Sequence, residues 1–147
     1  WINADMSNLS LKIIGDGTML NELKQKYPLP TIKFLGLLSH KETLDLIKNS
    51  RGVVTATKMY EGQPRLLCEA SINGIPSLFP DFGGMSEFFP ENYIFKFEQF
   101  NYESLCEKLK LFENSLDLKQ ESIEIQSFTE HLLGKEYLKE SLDKFFI

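Results

Sequence analysis

Two glutamates eight positions apart, Glu61 and Glu69, are the residues best placed for chemistry. Between them Gly62-Gln63-Pro64-Arg65 forms a short turn that opens a helix-like run. Pro64 fits the first turn of a helix, where its missing N–H costs nothing. Such a helix aims its unpaired amides and the positive end of its dipole forward, where an anion such as a diphosphate would be welcome. Glu61 sits just ahead of that terminus. Glu69 lies on the helix among Leu66, Leu67, Cys68, Ala70 and Ile72. A helix this apolar is expected to be buried around most of its circumference. A carboxylate within it needs a hydrogen-bond partner, because an unpaired buried charge is very costly. A ribose diol would serve, and so would a lysine or a backbone amide from a neighbouring helix. Glu61 has its own plain alternative, as an acid favouring the helix dipole. Arg65 either touches a phosphate or lies on the surface.

The elements that must position these residues are legible as apolar runs. Residues 11–14, 32–35, 53–56 and 77–79 read as strands, with 93–97 as a shorter fifth. Helical spacing appears in Met19, Leu20, Leu23 and Tyr27, then in Leu44 and Ile47, then in Leu66, Leu67, Ala70 and Ile72. Ser39-His40-Lys41-Glu42 is a capping box, with His40 in the first turn of the helix it opens. Strands separated by single helices predict an α/β fold. The expected form is a Rossmann-like, doubly wound parallel sheet with helices on both faces. The helical tail covers residues 101–147. Leu105, Leu109 and Phe112 mark its first helix, and residues 114–120 read as that helix's end and a linker. Tyr137, Leu138, Leu142, Phe145 and Phe146 form a final apolar stripe.

In an open parallel sheet, ligands bind outside the carboxyl ends of the strands. The segments there are Gly15-Asp16-Gly17, Gly36-Leu37-Leu38, residues 59–64, and Pro80-Asp81-Phe82-Gly83-Gly84. All are glycine-rich or turn-prone. Glycines let the backbone approach a ligand and present amides to it, which suits a phosphate.

Composition narrows the function further. The chain has 147 residues and a formal net charge of −5, a poor balance for nucleic acid. Cys68 and Cys106 read as free buried thiols of a reducing cytosol. His40 and His131 stand far apart, and no His/Cys cluster suggests a metal. No stretch approaches the roughly 20 apolar residues of a membrane span. An opening at Trp1 reads as a piece of something longer.

The ordered series Ile13-Ile14-Gly15-Asp16-Gly17, Phe34-Leu35-Gly36, Glu61-Gly62-x-Pro64-x-x-Leu67-x-Glu69-Ala70, Gly74-Ile75-Pro76 and Gly83-Gly84-x-x-Glu87 resembles a known pattern. It is similar to the C-terminal, donor-binding domain of glycosyltransferase family 4, which has a GT-B fold. The resemblance covers residues from about 9 to about 90. It implies sugar transfer from a nucleotide donor to an acceptor hydroxyl, with retention of configuration and without a metal or other cofactor. Glu61 would be the catalytic carboxylate beside the donor sugar, and Glu69 would hold the ribose hydroxyls. Gly62, Gln63, Pro64 and Arg65 would bind sugar and diphosphate. Gly15 and Gly17 would line the donor site, and Leu37 and Leu38 would flank the base. The donor would be a UDP-, GDP- or similar nucleotide-sugar. The family's usual small residues after Gly62 are here Gln63-Pro64-Arg65, so the sugar pocket is expected to differ.

The same resemblance makes residues 1–147 a single domain that lacks its first strand–helix unit, where a diphosphate-neutralising basic pair normally lies. The N-terminal acceptor domain would also be missing, leaving the fragment inactive and its apolar end at Phe145-Phe146-Ile147 exposed. The implied setting is cytoplasmic, in glycan, glycolipid or polysaccharide synthesis. Any contact with the inner membrane face would be made through the missing domain. A non-catalytic nucleotide-binding or scaffolding module is the alternative. A dinucleotide oxidoreductase is disfavoured, because Leu20 stands where a third glycine is needed and Gly36 where an acid is needed.

Overall fold

Apolar runs and helical repeats alternate along the chain, and in the computed structural model, which describes residues 1–145, they become strands and helices in that order. Strand β1 (Leu11–Ile14) leads through α1 (Leu20–Lys26) to β2 (Ile32–Gly36), and α2 (His40–Lys48) leads to β3 (Val53–Val54). Helix α3 (Arg65–Ile72) precedes β4 (Ser77–Pro80). A 3₁₀ turn at Met85–Phe88 precedes β5 (Lys96–Phe97). Helices α4 (Tyr102–Asn114), α5 (Lys119–Leu132) and α6 (Lys135–Phe145) follow. The linker foreseen over 114–120 is therefore shorter, since α5 already begins at Lys119.

Every strand pair is parallel. The parallel arrangement expected from the sequence is present, in two hydrogen-bonded groups. Among the described residues, β1 pairs with β2, while β3, β4 and β5 form a separate group with β4 central. Apolar runs identify strands but do not name their neighbours, so the sequence does not show where the groups divide. Two strands are also shorter than read. The ladder of β3 holds only Val53 and Val54, although the Thr55 N–H still donates to Leu78 O at 3.0 Å.

The β5 ladder starts at Lys96, not at 93, because Tyr93 serves the sheet through its side chain. Its hydroxyl donates to Ser77 O and accepts from Ser77 N–H, both at 2.8 Å. The phenol thus completes the edge of β4 where a strand backbone would. Burial pushes its pKa well up, despite the Ser77 backbone bond that favours ionisation. Tyr93→Phe should cost about 1–3 kcal/mol, because the buried Ser77 amide and carbonyl lose this partner. Urea unfolding of the two proteins checks this.

The core gathers on β4 and its neighbours. Phe79, Phe89, Tyr93, Phe95 and Phe112 form an aromatic chain, with Phe79 and Phe89 4.4 Å apart and Phe95 and Phe112 5.2 Å apart. Leu67 of α3, Leu78 of β4 and Ile125 of α5 close around it. By contrast α1 buries no residue. A recess of about 430 Å³ lies against β1 and β2, lined by Leu11, Ile13, Ile32, Phe34 and Trp1 among others.

Two further readings are adjusted. Cys68 is buried as expected, but Cys106 is only half-buried. On α6, Leu138 and Leu142 are exposed, so the stripe read there is not covered. Phe146 and Ile147, the rest of the apolar ending, lie outside the described residues.

Candidate functional site

The site is built from the four loops that follow β1, β2, β3 and β4. Sequence alone could only align them; the structure links each to the next. The Gly15 N–H donates to Gly36 O at 2.8 Å, tying the first loop to the second. That amide is therefore spent on the sheet. Gly15 offers a ligand open space and no hydrogen-bond donor, as an added Cβ there would meet nothing within 4 Å. Gly17 is open in the same way. Leu37 is exposed and Leu38 half-buried just beyond Gly36.

The second and third loops are joined through the helices they open, α2 and α3. Ser39 caps α2 with both halves of the capping box, its N–H donating to Glu42 Oε2 at 2.8 Å and its hydroxyl accepting from Glu42 N–H at 3.3 Å. That fixed start places His40 at the first position of α2. From there its Nε2 comes within 2.9 Å of Glu69 Oε1. Arg65 Nε donates to the same oxygen at 2.7 Å.

The third loop meets the fourth through backbone. The Gly84 N–H donates to Glu61 O at 2.9 Å. Gly83 holds a positive φ of 66°, and a Cβ on it would stand 2.7 Å from Glu61 O. Glycines are needed here because two backbones touch.

Helix α3 departs from its expected form in two respects. Pro64 is the cap residue, in extended backbone, and the helix begins at Arg65. A proline cap carries no side-chain acceptor, so the first turn is uncapped by its own cap residue. Its amides at Arg65, Leu66 and Leu67 face the loop that carries Glu61. The helix is also less buried than its composition suggests. Leu67, Cys68, Ala70 and Ser71 are buried, but Leu66 and Ile72 are exposed. The helix ends in a Schellman turn, with Ile75 N–H donating to Ala70 O and Gly74, at φ 67°, donating to Ser71 O.

Glu69 is therefore half-buried, not sealed in. Burial works to raise its carboxyl, but hydrogen bonds and charge from Arg65 and His40 outweigh this and hold it below the usual carboxylate range. A depressed folded value means that this carboxylate adds stability above its unfolded pKa and loses it as pH falls through the folded one. Arg65 is 74% exposed, so the contribution is small. Glu69→Gln should flatten the acid limb of stability slightly, as melting between about pH 3 and 6 would show. Glu61 is half-buried and enters no ion pair among the described residues. The bond from Arg65 was open to inspection as an i,i+4 spacing. The bond from His40 was not, because 29 residues separate the partners and nothing in the sequence joins them.

A family model described as "Glycosyl transferases group 1" matches residues 2–126. The chain belongs to that family. No curated protein sequence matches it. Among solved structures, the crystal structure of TarM is similar, with a TM-score of 0.71 at 21% identity. The match covers 99% of this chain and 29% of that one, so the chain spans well under half of TarM. At this identity the likeness speaks for the fold, a mixed α/β domain with parallel strands similar to a GT-B glycosyltransferase domain. No described helix is long and apolar enough to cross a membrane, and no described cluster of His, Cys, Asp and Glu could hold a metal.

Proposed function

We propose that this chain binds the nucleotide-sugar donor of a retaining glycosyltransferase, with an acceptor domain elsewhere in the full-length protein. The observation that carries the reading is the linkage of the four loops into one edge, with the uncapped start of α3 at its middle. A diphosphate set against the amides of Arg65, Leu66 and Leu67 would receive hydrogen bonds and the positive end of the α3 dipole. As the bond from the anomeric carbon to the diphosphate oxygen breaks, its electron pair leaves on that oxygen, while the acceptor hydroxyl oxygen bonds to the anomeric carbon and gives up its proton to the departing phosphate. The same amides would stabilise that growing charge. Glu61, without an ion-pair partner among the described residues, would face the opposite charge that develops on the sugar. Glu69 would hold the ribose, and Leu37 and Leu38 would flank the base. No step needs a metal. In this reading the isolated chain transfers no sugar, and the full-length protein works in the cytoplasm or at the inner membrane face.

Thermal melting with UDP, GDP and their sugar conjugates tests the reading. Saturation at about 100 times Kd should add about 2.7 kcal/mol of stability. For a domain of this size that is a rise of about 5–10 °C. A well-folded sample that no nucleotide stabilises would overturn it.

A further inference from the structure

Three polar side chains from two helices meet at one oxygen atom. Glu69 Oε1 lies 2.9 Å from His40 Nε2 and 2.7 Å from Arg65 Nε. A carboxylate oxygen at that distance cannot face a bare ring nitrogen, so Nε2 carries the proton and donates. Arg65 Nη2 then stands 3.1 Å from Nε2, which brings two donors together. The shared acceptor holds them there.

Helix stability does not account for this arrangement. Arg65 is the first residue of α3 and His40 the first of α2. The Arg65 cation at the N-terminus of α3 opposes the dipole. Arginine four residues ahead of glutamate is also the weaker order of an i,i+4 pair. Both residues are largely exposed, with side chains 74% and 55% accessible, so little packing is gained. Local preferences broken without gain in the fold are expected where function sets the residue. Both donors fall on Oε1. Oε2, with its two lone pairs, takes no hydrogen bond from either of them.

We infer that His40 and Arg65 are positioning residues that pin Glu69 through Oε1 so that Oε2 is presented to a pair of ligand hydroxyls. This rests on the donor-binding reading above, in which those hydroxyls are the nucleotide ribose diol. Pinning removes the rotamer freedom that Glu69 would otherwise lose on binding. It also keeps the carboxylate ionised, the form that accepts two hydroxyl hydrogens.

The test compares UDP and GDP with their 2′,3′-dideoxy counterparts by titration calorimetry, in the unaltered chain and in three variants. The unaltered chain should prefer the ribo form by about tenfold or more, since the charged acceptor loses both hydroxyl donors otherwise. His40→Ala should cut that preference by about three- to tenfold while dideoxy affinity stays constant. His40→Gln should restore it, because the amide nitrogen reaches about as far as Nε2 and still donates. Arg65→Met, which keeps an apolar stem at an exposed position, should lower the preference too. A merely structural role would weaken both ligand forms equally and leave the ratio unmoved. If the unaltered chain shows no ribo preference, the role of Glu69 itself falls. If it does, and both His40→Ala and Arg65→Met keep the full ratio, the positioning role falls alone.

Discussion

Gly84→Ala should abolish the response to every nucleotide and lower stability as well. In the native backbone the Gly84 amide is bonded to Glu61 O at 2.9 Å, and a methyl group on Gly84 would overlap the carbonyl oxygen of Gly62. The methyl group has no rotamer to change and the oxygen it meets is main chain, so no side-chain movement relieves the clash. The loop that carries Glu61 and leads into α3 must move instead. Overpacking of this kind costs about 1–3 kcal/mol. At this chain length that lowers Tm by about 2–4 °C for each kcal/mol. The larger effect is on binding, since a misplacement of about 1 Å is enough to spoil a preorganised site. Gly62→Ala provides the contrast. A Cβ at Gly62 meets nothing within 4 Å, so the fold should keep its Tm. Any loss of nucleotide response there would come from the methyl group standing in the ligand's space. Melting curves of both variants, with and without UDP and GDP, check the pair.

That contrast also shows what the sequence could convey. Gly62, Gly83 and Gly84 look alike as letters, and each suggests a loop near a ligand. Only the fold separates Gly83 and Gly84, which are required by a backbone contact, from Gly62, which faces open space. Patterns carried by neighbouring residues were readable. The capping box at Ser39 and Glu42 and the alternation of strands and helices rest on contacts a few residues long. What spans the chain was not readable. The break between the two strand groups, the Tyr93 hydroxyl standing in for a strand at Ser77, and the approach of His40 to Glu69 each join residues that no local rule relates. Composition misled in one place. The apolar letters of α3 suggested a helix sealed on nearly all sides, yet Leu66 and Ile72 lie in the open and Arg65 and Glu69 remain accessible.

Glu69→Ala and Glu61→Gln should fail in different ways. Glu69 is the only acid on α3, and its carboxylate meets two donors from the first turns of α2 and α3. Its removal deletes the proposed ribose contact and frees His40 and Arg65 at once. Hydrogen bonds to a charged group are worth about 1.5–3 kcal/mol, so affinity for UDP or GDP alone should fall by about 10- to 100-fold. At a fixed ligand concentration set to about 100 times the original Kd, the thermal shift would then shrink to between about one half and about one sixth of its original size. Glu61 stands before the helix and lacks an ion-pair partner among the described residues, so it has no such hold on the nucleotide. Glu61→Gln keeps the shape and removes the charge. It should leave the shift with UDP or GDP intact and lower turnover in the full-length enzyme by about 100-fold or more, as loss of a charge-stabilising group in a transition state does. Affinity for the sugar conjugate would change far less than turnover, because charge on the sugar is greatest only as the bond breaks. Calorimetry on this chain and product mass on the full-length protein separate the two. Equal loss of bare-nucleotide affinity in both variants would place the two carboxylates in one role and undo the division between ribose and sugar.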